Sequence, residues 1–286
     1  MKLPAFEYTA PATLDEAIRL LAAAKGAKAL AGGQSLIPTM AFRLATPAML
    51  VDLKNIPGLD RIDIDADSVR LGARVRWRDI EDDSRLERAQ PLLACAIRHV
   101  AHYQIRNRGT VGGSLAHADP AAEMPGIAVT CDAEIFLEGS KKTRMVKAAD
   151  FFTGPLSTVL ADDELIVEVR LPAWPPARRW AFEEFALRRG DFALAGVALY
   201  YDLDAAGRAA NAHIGVIGAC TRPHRVAAAE AALNGRAIDE EVMRAAARAL
   251  EAAVEPSADL HASAEYRRSL IGALLERALA RTKGVS

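Results

Sequence analysis

Cysteine is scarce in this chain. Cys95, Cys131 and Cys220 are the only three in 286 residues, and no C-x-x-C pair occurs. That argues against an iron–sulfur cluster or a structural zinc held by this chain, and predicts buried, inert thiols in a reducing compartment. Excess charge is missing too. The formal net charge is −1, so no broad field draws in nucleic acid or an anionic membrane. Any phosphate must be held by local backbone geometry. No apolar run is long enough to span a bilayer, and Met1-Lys-Leu-Pro-Ala-Phe-Glu-Tyr8 has no signal-peptide core, which predicts a cytoplasmic protein. Neither G-x-G-x-x-G nor G-x-x-x-x-G-K-[ST] is present, and no Ser-His-Asp or Cys-His set has a supporting local motif.

What is present is a pair of glycine pairs. Ile105-Arg-Asn-Arg-Gly-Thr-Val-Gly-Gly-Ser-Leu-Ala-His-Ala-Asp-Pro120 is the longer stretch, and Leu30-Ala-Gly-Gly-Gln-Ser-Leu-Ile37 is its smaller counterpart. Each reads as an apolar segment entering Gly-Gly, then a small polar residue, then apolar residues. Paired glycines let successive N–H groups turn toward one point and let a ligand approach without meeting a Cβ. One such loop is most often a plain turn. Two suit a diphosphate, whose two charges both need donors.

The length and a 51% hydrophobic content accommodate two globular domains. Residues 1–54 read as a small α/β unit. It comprises a strand at Phe6–Tyr8, a helix opened by a Thr13/Glu16 capping box, a strand at Lys28–Ala31, a short helix after Ser35 and a strand at Met49–Leu53. Residues 55–177 begin with alternating strands at Asp60–Ile64 and Val69–Val75. A mostly helical Arg78–Ala101 with a fresh start at Pro91 leads directly into the second glycine loop. A helix at Ala121–Thr130 and strands at Glu134–Leu137, Arg144–Val146 and Ile166–Leu171 follow. The Pro-rich Ala173–Arg179 marks the main boundary. Beyond it, Trp180–Leu187, Phe192–Tyr201 and Ala210–Ile217 suggest an antiparallel meander. Three helices then cover Pro223–Leu233, Asp239–Val254 and Ser263–Thr282. The last carries Tyr266, Leu270, Leu274, Leu275 and Leu279 on one apolar face. The fold class is α+β.

Several side chains have both a chemical and a structural explanation. Thr110 and Ser35 hydroxyls can each add a hydrogen bond to a phosphate. Arg106 and Arg108 flank the second loop and, in an extended segment, point the same way; support for phosphates, contact with a partner and plain solvation stay open. His117, Asp119 and Glu123 lack the spacing of a metal site, and Pro120 favours Asp119 as a cap. His99 and His102 read as core or capping residues.

Ala31-Gly-Gly-Gln-Ser-Leu-Ile-Pro38 and Ile105–Ser114 resemble the two FAD pyrophosphate loops of the flavoprotein (medium) subunit of molybdenum hydroxylases. The likeness is to the aerobic carbon monoxide dehydrogenase type, with xanthine dehydrogenase-like enzymes as cousins, and it covers nearly the whole chain. It implies a two-part PCMH-type FAD-binding domain at 1–177, with subdomains about 1–54 and 55–177. It also implies a carbon monoxide dehydrogenase flavoprotein-like C-terminal domain at 178–286, a three-stranded antiparallel sheet with a helical bundle. Cofactor contacts follow at Leu30, Ala31, Gly32, Gly33, Gln34, Ser35, Leu36 and Ile37, and at Thr110, Val111, Gly112, Gly113, Ser114 and Ala116.

The resemblance also places an acid, Glu123, by the FAD ribose or diphosphate, where many relatives carry the shorter Asp. It sets Phe192, from Arg188-Arg-Gly-Asp-Phe-Ala-Leu-Ala195, beside the isoalloxazine. Leu165 and Ile166 match a position that packs on the flavin, and Val100 and Ala101 line the ring; strand burial and helix core explain these equally well. Xanthine dehydrogenase-like relatives carry Lys near Glu184, so that contact departs here. By the same resemblance the chain is one of three subunits, in a dimer of heterotrimers. A large subunit binds the molybdenum cofactor and a small one carries two [2Fe–2S] clusters. Electrons reach FAD singly and leave to quinone, a cytochrome, NAD or oxygen. A self-sufficient flavoenzyme and a non-redox nucleotide-binding assembly module are the alternatives.

Overall fold

The computed structural model describes residues 2–283; Met1 and residues 284–286, which the expected domain bounds include, lie outside them. The first unit runs β1 (Glu7–Thr9), α1 (Leu14–Ala23), β2 (Ala27–Leu30), α2 (Leu36–Ala41) and β3 (Met49–Asp52). β3 lies between β1 and β2 and runs parallel to both. Parallel neighbours require crossovers, and the helices supply them. Thr13 Oγ1 accepts the Glu16 N–H at 3.3 Å, so α1 starts where the capping residues predicted. Ala17, Ile18 and Leu21 bury against Val51 and Leu53 in a small core of their own.

The second unit begins with β4 (Ile62–Ile64) and β5 (Ser68–Gly72). Six helices follow: α3 (Trp77–Asp82), α4 (Ser84–Ala89), α5 (Pro91–Ile97), α6 (Tyr103–Arg106), α7 (Val111–His117) and α8 (Glu123–Thr130). Then come β6 (Glu134–Glu138), β7 (Thr143–Lys147), α9 (Ala148–Phe151), β8 (Phe152–Gly154), β9 (Ser157–Thr158) and β10 (Leu165–Pro172). The five-stranded antiparallel sheet has the order β4-β5-β10-β6-β7. The expected helical stretch from Arg78 is three helices. Asp83 ends the first and caps the second by accepting the Arg85 N–H at 3.0 Å, and Pro91 starts the third. A further turn, α6, separates them from the second glycine pair, which was expected to follow at once. Leu92, Leu93, Ile97, Leu115, Met124, Phe151 and Phe152 form the centre of the largest core. Burial pushes the thiols of Cys95, Cys131 and Cys220 up, Cys220 to about 12, so all three stay protonated at neutral pH.

The Pro-rich connection is packed against its neighbours. Trp174 is buried against Tyr200, ring centroids 4.7 Å apart, and the Arg178 guanidinium lies 4.4 Å over the Tyr200 ring. The third unit comprises β11 (Arg179–Phe185), β12 (Ala195–Leu203), β13 (Ala209–Ile217), β14 (His224–Arg225), α10 (Ala227–Leu233), α11 (Glu240–Ala253) and α12 (Ala264–Thr282). The expected three-stranded meander gains the two-residue β14 as a fourth strand. Both faces of this sheet are covered. Phe182, Ala198, Tyr200 and Ile217 join the core of the second unit, while Ala181, Val197, Leu199, Tyr201 and Val216 pack with α10–α12. Tyr266, expected on the apolar face of α12, is 48% exposed. Arg267 takes the inward direction at that turn and donates to the carbonyls of Leu194 (2.7 Å) and Gly218 (3.1 Å).

Candidate functional site

The two glycine pairs, 80 positions apart in sequence from Gly32 to Gly112, meet in space. A Cβ built on Gly32 would overlap the Arg108 carbonyl and stand 2.9 Å from the Gly109 Cα; one built on Gly113 would lie 3.8 Å from the Ala31 Cβ. Gly32 is therefore required for the contact between loops. Gly33 has φ +75°, the left-handed region in which only glycine is unstrained. Gln34 Nε2 donates to Gly32 O at 3.1 Å and pins the turn. Among the described residues, the N–H groups of Gly33, Gln34, Ser35 and Leu36 donate to no protein acceptor. Ser35 precedes α2 without a side-chain cap bond, so its hydroxyl is free as well. These half-buried donors at a helix start suit an anion.

The second pair is built differently from expectation. Gly112 and Gly113 are the second and third residues of α7 and do not form an open loop. Thr110 caps this helix by accepting the Gly113 N–H at 3.2 Å. Val111 N–H donates to Val75 O and Gly112 N–H to Ala73 O, each below 3.0 Å. Val111 and Gly112 thus turn inward, and a Cβ on Gly112 would lie 2.6 Å from the Ala73 Cβ. Gly113 and Ser114 face outward half-buried, and Ala116 is exposed. Ala73 and Val75, whose carbonyls fix this turn, carry no signal in the sequence. A diphosphate fits this arrangement: free amides and a hydroxyl come from the first loop, while at α7 the amides of Val111 to Ser114 are taken and the Ser114 hydroxyl is the group left to donate.

Arg106 and Arg108 do not share a patch. Arg106 ends α6, pairs with Glu81 at 2.9 Å, and donates to the carbonyls of Val100 and Ala101, each at 3.0 Å. Arg108 is exposed. The helical turn in place of extended chain sends the two side chains apart. Arg106 instead shapes the Val100–Ala101 segment, where Ala101 adopts φ +42°. Gly190 closes on that segment: its Cβ would stand 2.7 Å from His102 Nδ1 and 2.8 Å from Ala101 O. Phe192 follows in the same loop and is 63% exposed, ahead of β12 and outside the strand expected to hold it. Leu165 and Ile166 are both buried, but in different cores, Leu165 with the first unit and Ile166 with the second.

Asp119 accepts the Ala121 N–H at 2.9 Å, a turn bond just before α8. His102 is exposed at the start of α6, and His117 is half-buried in the last turn of α7. Glu123 is buried in the first turn of α8, a helix packed so closely on β13 that a Cβ on Gly126 would lie 2.8 Å from Ile217 Cδ1. Burial, with the charge of Asp119 beside it, pushes Glu123 up to about 7. Burial and the charge of Glu123 push Glu184 on β11 up to about 8. His99 stacks edge-on against Phe182 at 4.9 Å and lies 3.9 Å from Glu184 Oε1. Burial holds its imidazole below the ordinary value, and Arg189 and Arg281 add to that. Sequence spacing gave no sign that the charge of Glu123 would bear on Glu184.

Two family profiles match the chain. One, described as the FAD binding domain in molybdopterin dehydrogenase, covers residues 4–174, and the CO dehydrogenase flavoprotein C-terminal domain covers 180–282. The nicotine 6-hydroxylase medium subunit of Paenarthrobacter nicotinovorans is 41% identical over 279 residues, 98% of each chain. A chain of the solved carbon monoxide dehydrogenase from Hydrogenophaga pseudoflava, a form lacking the Mo-pyranopterin moiety, superposes with TM-score 0.96 at 38% identity over 99% of both chains. A chain of quinoline 2-oxidoreductase from Pseudomonas putida 86 gives TM-score 0.94 at 40% identity, again over 99% of both.

Proposed function

Because the chain belongs to the family of FAD-binding medium subunits of molybdopterin dehydrogenases, we propose that it is the electron-transfer flavoprotein of a three-subunit molybdenum hydroxylase. FAD is its cofactor. When bound, FAD supplies the redox chemistry, taking electrons one at a time from a [2Fe–2S] cluster of a small subunit and passing them to an external acceptor. The observation that carries this is the contact between Gly32 and the Arg108–Gly109 peptide, which sets the free amides of the first turn beside the second glycine pair.

Each part of the chain has its task in this scheme. Residues 1–177, in subdomains of about 1–54 and 55–177, hold the dinucleotide, and residues 178–286 close over its ring. Gly33, Gln34, Ser35 and Leu36 donate to one phosphate; Gly113, which leaves room for it, and the Ser114 hydroxyl face the other. Arg106 shapes Val100 and Ala101 as one wall of the ring site. The Arg188–Phe192 loop, held against His102 by Gly190, brings the exposed Phe192 to the opposite wall. The partners are a molybdenum-cofactor large subunit and a [2Fe–2S] small subunit, assembled as a dimer of heterotrimers. Carbon monoxide dehydrogenase and nicotine 6-hydroxylase relatives are themselves medium chains or subunits. Among the described residues no helix is long and apolar enough to cross a membrane.

Expression with the neighbouring genes tests the proposal. The expected result is a complex with two partner chains and one flavin per copy of this chain, bleached when the large subunit's substrate is added. A chain that purifies without flavin, or one that turns over a small substrate alone, overturns it.

A further inference from the structure

α12 turns one charged side chain into the core. Arg267 is only 5% exposed, on a helix that otherwise buries Ile271, Leu274, Leu275 and Leu279. Its Nη1 donates to Leu194 O at 2.7 Å and Gly218 O at 3.1 Å, and Nη2 to Asp259 Oδ2 at 2.6 Å. Nε is buried without a partner among the described residues. A guanidinium left partly unsatisfied destabilises such a place relative to an apolar side chain of similar volume. The two carbonyls it reaches give the charge a reason to be there. Asp259, in the turn between α11 and α12, aims it. The other carboxylate oxygen of Asp259 accepts the His261 and Ala262 N–H groups at 2.8 and 3.0 Å, which fixes the acid in turn.

The ladder between β12 and β13 ends at the pair Gly196–Ile217. Beyond it the strands part. Leu194 belongs to the connection back to β11, closed at its root by the Leu194 N–H on Phe185 O at 2.9 Å. Gly218 turns aside with φ +73° and donates to Pro120 O at 2.9 Å, in the segment between α7 and α8. Arg267 bridges the two carbonyls at this fork. Gly218 lies on the same root, where a Cβ would stand 2.5 Å from Ala193 O. One guanidinium thus joins the root of the 186–193 loop to the segment that follows the second glycine pair. The loop beyond that root is open, with Leu187, Arg188, Arg189, Asp191 and Phe192 exposed. Its far contact is the approach of Gly190 to Ala101 and His102.

We propose that Arg267 is a positioning residue: steered by Asp259, it fixes the root of the 186–193 loop and so sets where Phe192 stands. Its bearing on the flavin rests on the reading under Proposed function that this loop closes over the ring. The closure is then set from α12, a helix that takes no part in the diphosphate cradle. Without the guanidinium, Leu194 O and Gly218 O lose their shared donor and the fork opens. The loop keeps its Phe185–Leu194 bond and the Gly190 contact, too few to hold one position.

The test compares the flavin-loaded complex of wild type with Arg267→Met, Arg267→Lys and Asp259→Asn. Arg178→Met, which breaks the pair with Asp202 elsewhere on the third unit, is the control for general destabilisation. Amide hydrogen exchange is followed over 186–194 and over β5 and β10, with visible circular dichroism of the bound flavin. In Arg267→Met, exchange over 186–194 is expected to rise by about tenfold, the loss of one or two hydrogen bonds. β5 and β10 stay at the wild-type level, and the flavin signal changes at full occupancy. Arg267→Lys keeps a donor for the carbonyls and recovers part of the protection; Asp259→Asn loosens the loop less than Arg267→Met. Arg178→Met changes neither the loop nor the flavin signal. Exchange over 186–194 that stays at the wild-type level in flavin-loaded Arg267→Met, or rises only together with β5 and β10, overturns this inference alone. A wild-type complex without flavin ends the parent proposal and the bearing of Arg267 on it together.

Discussion

Gly32 sits directly on the peptide of Arg108: a Cβ there would stand 2.9 Å from the Arg108 carbonyl carbon and overlap its oxygen. The clashing atoms are backbone, so they cannot swing aside. Gly32→Ala is expected to push the first loop off the second, costing about 1–3 kcal/mol of stability and lowering flavin occupancy by about tenfold or more. Gly113→Ala is the milder change. Its Cβ would crowd Thr110 Oγ1, at 2.8 Å, and stand at an ordinary 3.8 Å from the Ala31 Cβ. Flavin absorbance per chain, with a urea melt of each variant, checks the order; equal occupancy in both removes the loop contact from the cofactor site.

Ser35 separates binding from folding. Its side chain caps nothing, although it begins α2. Ser35→Ala is therefore expected to leave the melting temperature unchanged and to weaken FAD binding by about 1 kcal/mol, the loss of one hydrogen bond. Fluorescence titration of the flavin-stripped protein measures this. An unchanged affinity places the phosphate elsewhere.

The cap at Thr13, the helix start at Pro91 and the strand pair Glu134–Glu138 with Thr143–Lys147 were legible because each depends on residues within a few positions. The glycine pairs were legible as motifs for the same reason. What the sequence hid was non-local. Gly112 turns inward because Ala73 O accepts its N–H, and no spacing rule connects those two positions. The signal read as an open loop at Gly112–Gly113 was a helix start capped by Thr110. For Arg106, phosphate support, partner contact and solvation were left open, and none of them is its pairing with Glu81 across 25 positions. Glu184 was noted only for differing from relatives, since its burial depends on a sheet covered on both faces.

Arg106 supports a prediction about structure. It bridges Glu81 and the carbonyls of Val100 and Ala101, with both side chains about 15% exposed. Arg106→Met is expected to cost about 3 kcal/mol, because Glu81 is left without its partner in a poorly solvated place. Arg106→Met combined with Glu81→Met recovers part of that loss, but not the support for the two carbonyls. A double-mutant cycle in urea gives the coupling. Additive effects would mean that the ion pair contributes nothing.

The buried acids make stability depend on pH in a direction opposite to most carboxylates. Glu123 and Glu184 titrate at about 7 and about 8 in the folded chain, against about 4.3 for a glutamate in an unfolded one. Between those limits the folded state holds more protons than the unfolded state. Stability from this pair is therefore complete below pH about 4 and is lost as pH rises through 7 to 8. Glu184→Gln is neutral throughout and escapes that loss. The variant is expected to match wild type near pH 4 and to exceed it at pH 9 by on the order of 5 kcal/mol, at about 1.36 kcal/mol for each unit between about 4.3 and about 8. Glu183→Gln gives no such gain, since Arg277 and Arg281 lose their counter-charge. Thermal melts of the flavin-stripped chain across this range decide the matter. If the difference between Glu184→Gln and wild type is flat with pH, Glu184 is already ionised in the folded protein and the reading of it as a buried acid is wrong.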